Sequence, residues 1–102
     1  MKLLTKAIKK KLEKGDLYSD DAMTGNKKFC AKFFDPCGSW TWYVAEGREQ
    51  DDGDWLFFGL VHGFEKEWGY FTLSELESVT NALGLGIERD IHFEPCSIEE
   101  IS

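Results

Sequence analysis

Three aspartates crowd into the stretch GREQDDGD, residues 47–54, as Asp51, Asp52 and Asp54. Clustered carboxylates suit a hard divalent cation, but calcium loops place ligands at defined alternating positions and close with a distal bidentate carboxylate. The spacing here is wrong for an EF-hand and no distal Glu follows. The expectation is therefore a solvated hairpin link with Gly47 and Gly53 making the turns. Zinc would have Cys30, Cys37, His92 and Cys96 to draw on, whereas structural zinc sites pair cysteines two to four residues apart. Cys30 and Cys37 are seven apart, and His92 and Cys96 four apart. Buried small thiols are the expectation, with no metal and no cofactor.

A second cluster, Glu88, Arg89, Asp90 and His92, gathers groups suited to acid–base work. On a strand, Glu88, Asp90 and His92 would share one side. A His beside a carboxylate can serve as a general base, yet no nucleophile or oxyanion donor lies near in sequence. The plainer reading is the polar face of an edge strand, with Arg89 in an ion pair. Lys6, Lys9, Lys10, Lys11 and Lys14 could touch phosphate or an acidic partner, but a run of this kind is more often the solvated face of a helix. The last set is Trp40, Trp42, Trp55 and Trp68. Together they could form a platform for a peptide, sugar or base, or a packed core. Exposed aromatic surface marks interfaces, and two short helices cover only one face of a sheet, so Trp40 and Trp42 join the candidates for contact with a partner.

Those residues must be positioned by 102 residues, enough for one domain with one core. At 42% hydrophobic and 30% charged the chain reads as globular, and 15% aromatic content lets few side chains build a heavy core. The formal net charge is -7, unevenly placed. Residues 1–14 hold six Lys and one Glu, while residues 15–102 hold six basic and 18 acidic side chains. Such a body repels nucleic-acid phosphates and suits a basic partner, including a protein that itself binds nucleic acid. No run approaches the length of a membrane span and the start lacks the features of a signal peptide. Free thiols in a reducing cytoplasm follow as the expectation for the three cysteines.

The hydrophobic pattern supplies the elements. Leu4, Ala7, Ile8 and Leu12 recur at helical spacing over 5–14, with Thr5 as N-cap and Gly15 at the end. Residues 16–26 read as a loop. Strand patterns follow at 27–34, with Phe29, Ala31 and Phe33 on one face, and at 39–46, with Trp40, Trp42 and Val44 opposite Thr41, Tyr43 and Ala45. Residues 54–62 are apolar on both faces, as in a covered central strand. Residues 64–71 set Glu65 and Glu67 opposite Phe64, Trp68 and Tyr70. Gly63 alone is too short a link, so a bulge or a shifted boundary is expected there. Thr72 with Glu75 forms a capping box for a helix over 72–83, with Leu73, Leu76, Val79 and Leu83 inward and Gly84 as terminator. Residues 86–94 alternate again as a strand, with Ile87, Ile91 and Phe93 on one side.

At this point the chain resembles a known group. The runs FFDPCGSWTWYVAE, FFGLVHGFEKEWGYFTLSELESV and GLGIERDIHFEP, with LLTKAIKKKL at the start, are similar to a family of small bacterial and phage proteins catalogued as a domain of unknown function. The resemblance covers nearly the whole chain. It implies an association with plasmids, phages and other mobile elements, and no activity or catalytic residue. The three cysteines and the long EGREQDDGD link depart from the usual pattern.

The reading is one α+β domain spanning 1–102: an antiparallel sheet of about five strands, a four-strand meander plus a C-terminal strand, with two helices packed on it. The expected function is a non-enzymatic protein–protein interaction module of a mobile element. Its sharper form is an anti-defence inhibitor whose acidic surface, with Asp51, Asp52, Asp54, Glu65 and Glu67 beside Trp40 and Trp42, occupies the basic groove of a nuclease or CRISPR effector. Direct contact with nucleic acid or membrane is not expected. The rival classes are a small enzyme or ligand binder on Glu88, Arg89, Asp90 and His92, and a structural homodimer through exposed Trp faces.

Overall fold

The computed structural model describes residues 3–13, 29–36, 38–79, 86–94 and 96. Helix α1, Lys6–Glu13, is followed by β1 (Ala31–Phe34), β2 (Thr41–Glu49), β3 (Trp55–His62), β4 (Lys66–Thr72), helix α2 (Leu73–Ser78) and β5 (Glu88–Arg89). The strands form one antiparallel sheet in the order β4-β3-β2-β1-β5, so the expected meander is present and the last strand returns to pair with the first. This is the α+β architecture that the patterning predicts.

Both helices cover one face of the sheet. Leu4, Ile8 and Leu12 of the α1 segment and Leu76 of α2 are buried with Ala31, Phe33, Val44, Phe57 and Phe71. Phe57 is the hub of this layer, with its ring 6.1 Å from Phe33, 6.5 Å from Trp55 and 5.6 Å from Phe71. Leu4, Ile8 and Leu12 recur every four residues, which is the stripe that a short helix needs in order to be held by packing rather than propensity. Thr5 Oγ1 accepts the Ile8 N–H at 3.3 Å as the expected cap.

The opposite face carries a continuous run of rings. Neighbouring centroids lie 5.0 to 6.2 Å apart along Tyr70, Phe58, Trp68, Phe29, Tyr43 and Phe93. Phe29 is completely buried here with Ala45 and Leu60. It was expected to share a face with Ala31 and Phe33. Instead Phe29 pairs as an isolated bridge with Cys96, and β1 proper begins at Ala31, so the strand alternation does not run through Cys30.

A bulge shapes the middle of the sheet. Val44 pairs with Gly59, but the next partner of β3, Phe58, pairs with Glu46, leaving Ala45 as the extra residue. A Cβ on Gly59 would fall on the Tyr43 carbonyl oxygen, so close approach of the two backbones at the bulge demands glycine there. The bulge also turns Glu46 toward the ring-bearing face, where it is 1% exposed.

Two elements are shorter than the sequence pattern implies. α2 starts where the capping box puts it, with Thr72 Oγ1 accepting the Glu75 N–H at 3.2 Å. It ends at Ser78, because Val79 is extended at φ -76° and ψ 125°. Val79 is exposed rather than inward-facing. Leu83 and Gly84 lie outside the described residues, as do Lys14, Gly15 and the 16–26 segment. β5 keeps only two of the nine residues expected for it.

Candidate functional site

One end of the sheet, where β2 begins, β3 ends and β4 begins, gathers residues that lie far apart in the chain. The pairings Thr41 with His62 and His62 with Lys66 set this end. They bring Trp40, just ahead of β2, beside the three-residue link Gly63, Phe64 and Glu65. The Trp40 ring packs directly over Gly63, where any Cβ would collide with it. Trp42 stacks on Trp40 from beneath, at 6.2 Å and 29°. Phe64 stands edge-on to Trp40 at 5.8 Å and 78°.

This aromatic corner is open to solvent. Trp40 is 39% exposed and Phe64 95% exposed. Hydration of so much apolar surface is unfavourable by roughly 25 cal/mol per Å², and nothing in the described structure recovers it for Phe64. The corner opens into a cleft of about 210 Å³ lined by Trp40, Val61, Phe64, Glu65 and Glu67. Glu67 lies across from Val61 on the helix-bearing face, while Trp68 and Tyr70 alternate with the other face, as expected. Glu65 and Glu67 are exposed, and neither belongs to an ion pair among the described residues.

Four of the seven residues anticipated as a partner-binding set, Trp40, Trp42, Glu65 and Glu67, therefore meet at one place. Asp51, Asp52 and Asp54 do not join them. They sit on the β2–β3 hairpin, at the opposite end of β3, and eight residues of strand span about 25 Å. The single acidic surface expected from charge alone is thus two separate acidic ends, because antiparallel strands send consecutive links to opposite ends of a sheet.

The hairpin itself is a three-residue loop. Gly53 N–H donates to the Gln50 carbonyl at 3.0 Å and Gln50 N–H to the Asp54 carbonyl at 2.8 Å, with Gly53 at φ +87°. Gly53 makes the turn as expected, whereas Gly47 lies within β2. A Cβ at Gly47 would press on Phe57 and Leu12, so this glycine serves packing. Asp52 Oδ1 accepts the Asp54 N–H at 2.9 Å. Asp54 is committed further: Oδ2 accepts the Ser74 hydroxyl at 2.6 Å, and Oδ1 accepts the N–H groups of Ser74 at 3.1 Å and Trp55 at 2.8 Å. The Ser74 hydroxyl bond is the main cause holding the Asp54 carboxyl below its ordinary pKa, and it outweighs the opposing loss of hydration. Asp54 fastens the hairpin to α2, a structural duty.

The Glu88–His92 cluster is arranged differently from a strand face. Glu88 pairs with Phe34 and Arg89 with Phe33, which puts them on opposite sides. The strand then ends, because Asp90 Oδ1 accepts the His92 N–H at 2.9 Å and the Asp90 carbonyl accepts the Phe93 N–H at 3.2 Å. This local turn competes with further pairing. The Asp90 carboxylate also lies 3.7 Å from Lys32 Nζ, and His92 is exposed in the turn. Glu88, Arg89, Asp90 and His92 do line one shallow cleft of about 340 Å³, with Lys32, Phe34 and Ile91. The shared strand side expected for Glu88, Asp90 and His92 is absent, because β5 ends at Arg89.

The remaining candidates divide. Trp55 is buried, and the Lys9 ammonium lies 5.9 Å above its ring, while Lys6, Lys10 and Lys11 are exposed. Trp68 stacks between Phe29 and Phe58. Cys30 and Cys96 are half-buried, Cys37 lies outside the described residues, and among those described no three His, Cys, Asp or Glu side chains converge as metal ligands. No described helix is long and apolar enough to cross a membrane. Phe64 is the site residue that sequence reasoning missed. Alternation places it in a strand, although its position between Gly63 and the charged run Glu65, Lys66 and Glu67 is what a hairpin tip looks like.

Fold and site together define a small α+β sheet protein with an open aromatic corner flanked by carboxylates. A family model described as a protein of unknown function (DUF2958) matches residues 3–99, and the chain belongs to that family. No curated protein and no solved structure matches the chain.

Proposed function

We propose that this protein is a non-enzymatic interaction module that takes a basic partner protein at the Trp40 end of its sheet. The observation that carries the reading is the 95% exposure of Phe64 against Trp40, directly beside the exposed carboxylates Glu65 and Glu67. Large exposed aromatics anchor interfaces, and a rim of one charge steers a partner of the other. The sharper form is an anti-defence role, in which the partner is a nucleic-acid-handling protein whose basic groove accepts this end. The net charge of -7 and the resemblance to mobile-element proteins support that form. The test compares what wild-type protein and a Phe64→Ala/Glu65→Lys/Glu67→Lys variant retain from bacterial lysate at low and moderate salt. Nucleic-acid-handling proteins retained by the wild type alone support the reading; identical retention by both defeats it.

A second reading is favoured by one observation, the cleft of about 340 Å³ that collects Glu88, Arg89, Asp90 and His92. It would make the protein a small-ligand binder or small enzyme. It fails if His92→Ala and Asp90→Ala leave the phenotype of the gene unchanged.

A further inference from the structure

We infer that the cleft bordered by Trp40, Val61 and Phe64 receives a single arginine side chain from a basic segment of the partner. This rests on the reading above and names the group that enters. The lining selects the chemistry. The Trp40 indole, the Phe64 ring set edge-on to it and the Val61 side chain favour a flat, weakly hydrated group. Two carboxylates at the rim exclude anions and leave a neutral apolar occupant with desolvated, unpaired charges. A cation satisfies both, and Trp is the best aromatic partner for one.

Guanidinium fits better than ammonium. It is planar, stacks on aromatic rings and offers a fork of donors to a carboxylate, whereas ammonium is a compact, strongly hydrated point charge. The volume of about 210 Å³ lies below the roughly 300–1,000 Å³ of ordinary ligand pockets, which suits one long side chain and not a folded segment. Nothing within the described chain competes for the place. Lys66 neighbours Glu67, but strand alternation sends it to the other face with His62. Elsewhere the protein already sets cations over rings, Lys9 on Trp55 at 5.9 Å and Lys32 on Tyr43 at 5.8 Å.

The experiment titrates the full chain, carrying ¹⁵N-labelled tryptophan, with hexa-arginine, hexa-lysine and hexa-citrulline peptides. The indole N–H signal of Trp40 is identified by its loss in Trp40→Phe. The expected result is movement of the Trp40 signal with the arginine peptide, several-fold weaker binding of the lysine peptide, none of the neutral citrulline peptide, and a fixed signal for buried Trp55. Phe64→Ala, at a solvent-exposed position, and Glu65→Gln/Glu67→Gln each weaken the arginine response about two- to fivefold. Equal binding of arginine and lysine overturns the guanidinium inference and leaves the acid-rimmed module standing. A Trp40 signal unmoved by any cationic peptide overturns both. Arginine binding that survives Phe64→Ala and the double Gln variant unchanged also overturns the inference, since the peptide then sits elsewhere.

Discussion

Asp54 and Ser74 lie twenty residues apart in the chain, yet one carboxylate accepts both the hydroxyl and the backbone N–H of the serine. The pair ties the β2–β3 hairpin to the first turn of α2, so the two elements share one hydrogen-bonded joint.

Breaking that joint should be visible and pH-dependent. Asp54→Asn and Ser74→Ala are each expected to lower the urea midpoint, and the double variant by less than the sum, because both remove one interaction. The folded-state pKa of Asp54 is depressed, so its contribution is fully present above the ordinary aspartate value of 3.8 and is lost as pH falls through the lower folded value. Unfolding curves of wild type and Asp54→Asn from pH 7 downward should therefore stay separated until the pH drops below 3.8 and then converge.

Thr72→Ala removes the acceptor for the Glu75 N–H at the start of α2. A loss of about 1 kcal/mol is expected by chemical denaturation. Thr72→Ser should retain most of the stability, since it keeps the hydroxyl.

Gly59→Ala forces a Cβ onto the Tyr43 carbonyl oxygen, which belongs to backbone and has no side-chain freedom with which to yield. The expected cost is about 3 kcal/mol. An alanine at Gly69, where a Cβ meets nothing within 4 Å, is the control and should change stability little.

Two phenylalanines separate stability from recognition. Phe57 is fully buried and Phe64 is almost fully exposed. Phe57→Ala is expected to cost about 4 kcal/mol, while Phe64→Ala stays within roughly 0.5 kcal/mol. Thermal melts of the two variants check this, and only the second variant is then suited to binding assays.

How much of this was legible in the sequence differs residue by residue. Thr72 and Glu75 fixed the start of α2 because capping is a local exchange between neighbours. Its end was misplaced because Val79 has helical spacing from Leu76, and spacing alone does not report backbone angles. The 86–94 alternation looked like a strand until Asp90 diverted two N–H groups into a turn. Trp40, Trp42, Glu65 and Glu67 were each recognisable as candidates. Their meeting required the register of β2 on β3, which shifts at the Ala45 bulge and leaves no mark in residue types. The separation of Asp51 and Asp52 from Glu65 was legible in principle, since alternate links of a meander lie at opposite ends. Summed charge concealed it.

The strand order has a kinetic consequence. Pairings of β1 with β2, β2 with β3 and β3 with β4 each close a short loop, so they can zip up as successive hairpins with little entropy lost per closure. The pairing of Phe33 with Arg89 and the bridge of Phe29 with Cys96 are different. They close loops that enclose the rest of the sheet, and among the described residues their backbone pairing is short: the two residues of β5, the Asp90 N–H to the Lys32 carbonyl and the Phe29–Cys96 bridge. The meander should condense first and the C-terminal segment dock afterwards. In native hydrogen exchange that same segment should open first, exposing the Tyr43–Phe93 end of the ring-bearing face while the four-strand core stays shut.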